Sequence, residues 1–496
     1  MRWRDDRRPD GAASVNDALC EMTAVALRRA ILRRELSPVE VTEAVLERAH
    51  RLQPELNCFI TICEGDALRD ARAAEDALMR GESPGLLHGI PYTCKDIVNT
   101  RGVRTTFGSL VFADNVPDED AEAVARLRRH GAILIGKTTT PEFGAKCLTD
   151  APLFGRTPNA WSAAHTSGGS SGGAAVALAR GIAPLAVATD GGGSTRIPAA
   201  CNGVVGIKQT LGLVPHSQVQ DAFANLTYVT PMTRDVADTA LMLRAMAGAH
   251  PSDPWSLRAA PSDYSGAVER AGDLRGRRIR YCAAPPGRPI AAAVLDAFRA
   301  SIRALERLGA EMIETDGEGF DVEPLWRTIN HTVWRTRFAD LVRDHADRLS
   351  PSLLRQLASA SEVSGVDYQR AMFARTELFR RVQAMLSDHD FLAMPTLSRT
   401  ALPIEQDLFG TLEIDGAIWP EVRTNWFPWT MPFNLTGHPA ITLPCGLDAS
   451  GLPIGIQFVG RFGEDADLLT LAAAFEASQA SRAAPRAVGP AREVLP

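Results

Sequence analysis

The sequence predicts an α/β protein built on a large mixed, mainly parallel β-sheet covered by helices on both faces. Two observations predict it. Between residues 83 and 215, short apolar runs of strand length alternate with helical stretches: Ile90–Cys94, then Ala174–Arg180, then Ile182–Thr189. Continuously apolar strands belong to sheets buried on both sides. The alternation resumes with a strand at Arg278–Ala283, a helix at Ile290–Leu308 and a returning strand at Phe391–Thr396.

In chain order, residues 1–12 read as a disordered N-terminus, charged and without the apolar stretch of a secretory signal. Helical periodicity runs over Asn16–Arg34 and Pro38–Leu52. The second helix is opened by Ser37-Pro-Val-Glu40, an N-cap serine followed by proline and, three positions on, an acid. Asp66–Met79 is an alanine-rich helix. Residues about 320–390 read as helical and are expected to form a variable cap over the functional site. Pro403–Val422 reads as loop. Strands at Ala440–Leu443 and Ile454–Val459 precede a helix at Asp465–Ala477. An alanine- and proline-rich tail, 479–496, is expected to fray.

The chemistry concentrates in two glycine-dense loops, Thr166-Ser-Gly-Gly-Ser-Ser-Gly-Gly173 and Thr189-Asp-Gly-Gly-Gly-Ser-Thr-Arg-Ile-Pro198. Glycine tolerates positive φ and has no Cβ, so backbone N–H groups can converge on one spot. A serine beside such donors has what an acyl-transfer nucleophile needs. A flexible linker is the bland alternative, but linkers do not alternate with core helices and strands. A G-x-S-x-G elbow also fits, centred on Ser170 or Ser171. An elbow must follow a strand, and Asn159-Ala-Trp-Ser-Ala-Ala-His165 is not one. A third reading joins both loops to Lys95, which emerges from the strand-like run Ile90–Cys94.

Lys95-Asp96, Gly168-Gly-Ser-Ser-Gly-Gly173 and Asp190-Gly-Gly-Gly-Ser-Thr-Arg-Ile-Pro-Ala199 resemble segments of the amidase signature family of serine hydrolases. So do their separations, 75 residues from Lys95 to Ser170 and 24 from Ser170 to Ser194. Leu36-Ser-Pro-Val-Glu40, Gly136-Lys-Thr-Thr-Thr-Pro-Glu-Phe143, Gly203-Val-Val-Gly-Ile-Lys208, Asn434-Leu-Thr-Gly-His-Pro-Ala440 and Gly451-Leu-Pro-Ile-Gly-Ile-Gln457 extend the resemblance along nearly the whole chain. It is weakest across about 250–425.

The resemblance implies one amidase-signature domain over residues 13–478 and a Ser–cis-Ser–Lys triad. Ser194 would be the nucleophile, Ser170 the bridging serine after a cis Gly169–Ser170 peptide, and Lys95 the general base. The chemistry is sound independently. A serine hydroxyl needs a neighbour to take its proton. A lysine accepts one only when neutral, which burial promotes. A hydroxyl between them can donate and accept together. The N–H groups of Gly191, Gly192, Gly193 and Ser194 would form the oxyanion hole, and water would release the acyl group from Ser194. Ser171 reads as a hydrogen-bonding scaffold residue, and Asp190 and Arg196 as supports of the loop.

Composition bounds the rest. The 496 residues carry a formal charge of −6, with 45% hydrophobic and 23% charged residues, as in ordinary globular proteins. No basic surface argues for nucleic acid, and no run of about 20 apolar residues argues for a membrane span. Eight cysteines without a C-x-x-C pair fit a reducing cytoplasm. Ten histidines without H-x-x-x-H or H-E-x-x-H spacing suggest no metal, and no cofactor is expected. Gly131-Ala-Ile-Leu-Ile-Gly-Lys-Thr138 matches a phosphate-loop pattern, but its middle residues are strand residues. Lys137 is expected at a strand end near the surface.

For substrate, the aromatic run Asn425-Trp-Phe-Pro-Trp-Thr-Met-Pro-Phe433 offers Trp426, Phe427 and Trp429 as a pocket wall or as core. The glutamine-hydrolysing components of tRNA amidotransferases carry an acidic residue where this chain has Phe427, which disfavours that alternative. The expected activity is hydrolysis of C–N amide bonds in uncharged, partly apolar or aryl small molecules by a monomer or homodimer. Carbamate (urethanase) or ester hydrolysis by the same triad stays open, as does a non-catalytic binding role.

Overall fold

The computed structural model describes residues 15–479. The segment 1–12 and all of the tail beyond Gln479 lie outside the described residues. The N-terminal half supplies β1 (Phe59–Ile62), β2 (Pro91–Lys95), β3 (Ile133–Thr138), the short pair β4 (Asp150–Ala151) and β5 (Gly155–Arg156), β6 (Leu185–Asp190), β7 (Val205–Lys208) and β8 (Tyr228–Thr233). The C-terminal half adds β9 (Arg278–Tyr281), β10 (Glu311–Glu314), β11 (Phe391–Pro395), the pair β12 (Leu412–Ile414) and β13 (Ala417–Trp419), β14 (Ala440–Leu447) and β15 (Pro453–Gly460).

Eleven of these strands form one sheet in the order β1-β3-β2-β6-β8-β7-β14-β15-β11-β9-β10. The sheet is mixed, as expected. The balance differs from expectation: six pairings are antiparallel and four parallel. The parallel pairs lie in two blocks, β3-β2-β6 and β11-β9-β10. Between them the chain crosses the middle of the sheet antiparallel. Apolar runs such as Leu185–Ala188 carry no mark of strand direction.

Both faces are covered, and the inner strands β2, β3, β7 and β8 are buried along their whole length. Ile133 and Ile135 of β3, with Ala186 and Ala188 of β6, pack with residues of the helices Pro38–Leu56, Glu64–Met79 and Gly172–Ala179. Leu134, Leu185 and Val187 point the other way, into a core shared with the helices Val236–Met246, Ala292–Arg307 and Asp465–Gln479. The period of two along a strand produces this division.

Local signals account for most boundaries. Ser37 and Glu40 form the expected capping box of helix Pro38–Leu56. The single helix expected over Asn16–Arg34 is two, Val15–Glu21 and Ala24–Leu32. The Thr23 side chain accepts from Ala26 N at 3.1 Å and starts the second. The segment Pro403–Val422, expected as loop, holds the β12–β13 pair. The region 320–390 is helical as read, with Glu323–Arg337, Ala339–His345, Pro351–Ala358 and Gly365–Met385.

Lys137 overturns an expectation. It is fully buried, and its Nζ donates to Thr100 Oγ1 at 2.8 Å and to the Val98 carbonyl. The loop after β2 folds over the end of β3 and supplies oxygens where water was expected.

Gly173 lies in the first turn of the fully buried helix Gly172–Ala179. A Cβ there would meet Thr139 Oγ1 at 2.3 Å and the Cys58 carbonyl oxygen at 2.6 Å. Gly173→Ala should therefore cost about 1–3 kcal/mol by overpacking. Gly65→Ala, where a Cβ meets nothing within 4 Å, should be neutral or gain up to about 1 kcal/mol. Urea denaturation of both variants measures the contrast.

Candidate active site

β2 and β6 are parallel neighbours, with Cys94 opposite Val187. Their C-terminal ends therefore reach the same sheet edge, where open α/β sheets place ligands. Lys95 ends β2, and Thr189 and Asp190 end β6. The loop before helix Gly172–Ala179 brings Ser170 and Ser171 to the same edge. The Ser171 amide donates to the Ser194 carbonyl at 3.1 Å, tying the two glycine loops together. The Gly169–Ser170 peptide is cis.

Lys95 is fully buried, and its Nζ is hydrogen-bonded to three hydroxyls: Ser170 at 2.7 Å, Thr189 at 2.8 Å and Ser171 at 2.9 Å. Burial takes its pKa well below the ordinary lysine value, and the negative charge of Asp190 opposes that shift. Ser171 Oγ also reaches the Thr189 carbonyl at 3.2 Å, so its proton has an acceptor there. Ser194 is half-buried and, with Ser170 and Thr189, lines one pocket.

Beneath Ser194 lies a buried polar knot. Asp190 and Arg196 are both fully buried and joined by two contacts of 3.0 Å. Arg196 also donates to Gln457 Oε1 at 2.7 Å and Asn434 Oδ1 at 2.6 Å. Asp190 accepts from Asn434 Nδ2 at 2.9 Å, Gly193 N at 2.6 Å and Thr195 N at 3.2 Å. Burial alone would raise the Asp190 carboxyl. The Arg196 charge and the hydrogen bonds from Arg196, Asn434 and Gly193 overcome it and hold the group well below the usual carboxylate range.

The glycine loop is oriented by its carbonyls. The Asp190 carbonyl accepts from Asn434 Nδ2 at 3.0 Å, the Gly191 carbonyl from Trp326 Nε1 at 2.7 Å, and the Gly192 carbonyl from Thr430 Oγ1 at 2.6 Å. Each peptide is planar and trans, so an anchored C=O sends the next N–H the opposite way. One sequence-derived donor drops out: the Gly193 N–H is held by Asp190. The amides of Gly191, Gly192 and Ser194 have no acceptor among the described residues.

Of the three aromatic residues singled out in the sequence, the structure brings only Phe427 to the pocket. Trp426 is fully buried, its Nε1 bonded to the Arg399 carbonyl. Trp429 is 2% exposed and packs on Phe320. Both are core. The pocket's aromatic wall comes instead from Phe107, Phe143, Trp326 and Trp334 together with Phe427. Sequence reasoning also missed Thr189, Thr430 and Asn434. All three stood inside segments already singled out, without a role. Nothing in the sequence marked Trp326 as a partner of residue 191. Among the described residues no group of three His, Cys, Asp or Glu could hold a metal, and no helix is long and apolar enough to cross a membrane.

The family model for amidases matches residues 40–469. The chain belongs to the amidase signature family. It is 36% identical to an acylamidase of Rhodococcus erythropolis over 92% of this chain and 95% of that protein. It is 32% identical to a glutamyl-tRNA(Gln) amidotransferase component from Thermosynechococcus vestitus, over 91% and 96%. Among solved structures it resembles a bacterial aryl acylamidase of the same family, with a TM-score of 0.85 and 27% identity over 92% of this chain and 96% of that one. The protein is an amide-hydrolysing enzyme.

The Asp190 carboxylate yields a stability prediction with a definite sign. Its folded pKa lies below the unfolded value of about 3.9. Its contribution is therefore complete above that value and is lost as pH falls through the folded pKa. Asp190→Asn should be less stable than wild type at pH 7. The gap between the two, measured by denaturant titration, should narrow as pH falls below about 4.

Proposed function

We propose that this amidase hydrolyses small amides through an acyl-enzyme on Ser194, with Ser170 as proton bridge and Lys95 as base. The observation that carries the reading is the Lys95 amine, buried, shifted toward neutrality, and 2.7 Å from Ser170 Oγ. A neutral amine has two N–H donors and one lone pair. Ser171 and Thr189 take the two donors, since the Ser171 proton is directed at the Thr189 carbonyl. The lone pair is left for the Ser170 proton. Ser170 Oγ then accepts from Ser194, and the proton travels from Ser194 through Ser170 to Lys95 as Ser194 attacks the carbonyl carbon.

The developing oxyanion is received by the amides of Gly191, Gly192 and Ser194, whose preceding carbonyls are held by Asn434, Trp326 and the Ile197 amide respectively. Collapse breaks the C–N bond, and the amine leaves with the proton returned through Ser170. Water then attacks the ester by the reverse relay. Asp190 and Arg196 hold the loop. The aromatic wall suits an apolar or aryl substrate portion. Among the described residues no Asp or Glu lines the pocket, so a substrate ammonium, as in free glutamine, would lack a counter-charge. This supports a self-sufficient amidase over a component of an amidotransferase.

Ser194→Ala should abolish amide turnover while leaving the melting temperature within a few degrees of wild type. For wild type, log kcat/KM should rise with pH and level off well below pH 10.5, because only the neutral amine accepts a proton. Lys95→Ala should lose more activity on anilides than on nitrophenyl esters, whose leaving group needs no proton. Equal losses on both classes, or a rising limb centred at the ordinary lysine value, would remove Lys95 from the relay.

A further inference from the structure

The helix Glu323–Arg337 turns one stripe toward the pocket: Trp326, Asn330, Trp334 and Arg337. Their spacings of four, four and three residues put them on one helix face. The stripe begins at the catalytic loop, where the Trp326 indole reaches the Gly191 carbonyl. At about 1.5 Å per residue, Arg337 lies roughly 16 Å farther along the axis.

Two members of the stripe are not accounted for by amide hydrolysis. Asn330 is 4% exposed, yet its Nδ2 has no hydrogen-bond partner among the described residues. Buried amides in folded proteins are bonded, and an orphan in a pocket awaits a ligand acceptor. Arg337 is the second. Among the described residues, three Lys or Arg side chains line the pocket. Lys146 is paired with Asp150, and Arg423 has Glu323 at 3.7 Å. Arg337, exposed at the outer end of the stripe, forms no ion pair among the described residues and rests over the ring of its own neighbour, Phe338. His216 also lines the pocket, with its Nδ1 buried and unpartnered among those residues. Burial, opposed by Asp253 and reinforced by the charge of Arg337, pushes that imidazole down to about 4. Arg337 lines the same pocket as this imidazole.

We propose that this stripe is an anion-accepting subsite: the substrate carries a carboxylate at the far end of its apolar portion, paired with Arg337, while Asn330 donates to an acceptor oxygen nearer the scissile amide. The inference rests on the reading of Ser194 as the reacting centre. It replaces the expected uncharged substrate with an apolar one bearing an anionic end. An excess of positive charge with no acid among the described lining residues favours this charge and opposes the other.

Two matched substrate pairs test it. On the acyl side, the 4-nitroanilide of a glutaric half-acid is compared with its methyl ester. On the amine side, N-acetyl-4-aminobenzoate is compared with its methyl ester. In at least one pair the carboxylate should be preferred about tenfold in kcat/KM, mainly through KM. Arg337→Gln should remove most of that preference and Arg337→Lys should restore part of it. No carboxylate preference in either pair, or a preference unchanged in Arg337→Gln, overturns the subsite. If no amide is turned over, the proposed function fails. The subsite is then judged by titrating Ser194→Ala with 4-phenylbutanoate and 4-phenylbutanamide, read by tryptophan fluorescence. Tighter carboxylate binding that is lost in Ser194→Ala/Arg337→Gln supports it, and equal binding overturns it.

Discussion

A fully buried ion must find its partners inside the protein, and Asp190 with Arg196 sets that condition for the whole site. The carboxylate closes β6, and the guanidinium opens the helix Arg196–Asn202. Gln457 from β15 and Asn434 from the helix Met431–Thr436 complete their bonding. Four elements, two of them far along the chain, are thereby locked around three glycines and Ser194. Removing one partner would strand the other's charge, which typically costs about 3–5 kcal/mol. The pair fixes geometry more than it adds net stability. Its product is a loop with carbonyls tied down on one side and free amides on the other.

Lys95 works by the opposite electrostatic logic. It too is fully buried, but its immediate partners are three hydroxyls. The desolvation that Arg196 escapes through Asp190 is left largely uncompensated at Lys95. One sheet edge thus holds a stabilised ion pair and, beside it, an amine driven toward its neutral form. The Asp190 charge touches both: it pairs directly with Arg196 and opposes the downward shift at Lys95. Acid–base sites commonly arise from environments that push titratable neighbours apart.

The generic part of this site was legible in the sequence because it is local. Glycine density, the serine positions and a lysine at a strand end are properties of short segments, and with the resemblance to the amidase signature family, which implied the triad, they pointed to Lys95, Ser170, Ser171, Asp190, Ser194 and Arg196. Contacts across the chain were not legible. Trp326 meets Gly191 over 135 residues, and Asn434 meets Asp190 over 244. A run of aromatic residues says that side chains are buried, not against what. Trp426 and Trp429 were therefore drawn toward the pocket when they belong to the core, and Arg337 was passed over. The antiparallel middle of the sheet escaped for a related reason: a strand buried on both faces reads alike in either direction. Lys137 was misplaced because the oxygens that solvate it, on Thr100 and Val98, come from another loop.

The central claim is that Ser194, not its neighbours in the first glycine loop, carries the acyl group. Trypsin separates the alternatives. Cleavage after Arg156, Arg180 and Arg196 puts Ser170 and Ser171 on the peptide 157–180 and Ser194 on the peptide 181–196. The decisive measurement is an acid quench during turnover of a slowly deacylating anilide, followed by peptide mass spectrometry. The account predicts the acyl mass on residues 181–196, at Ser194. An acyl group on residues 157–180, or turnover with no acylated peptide, would contradict it.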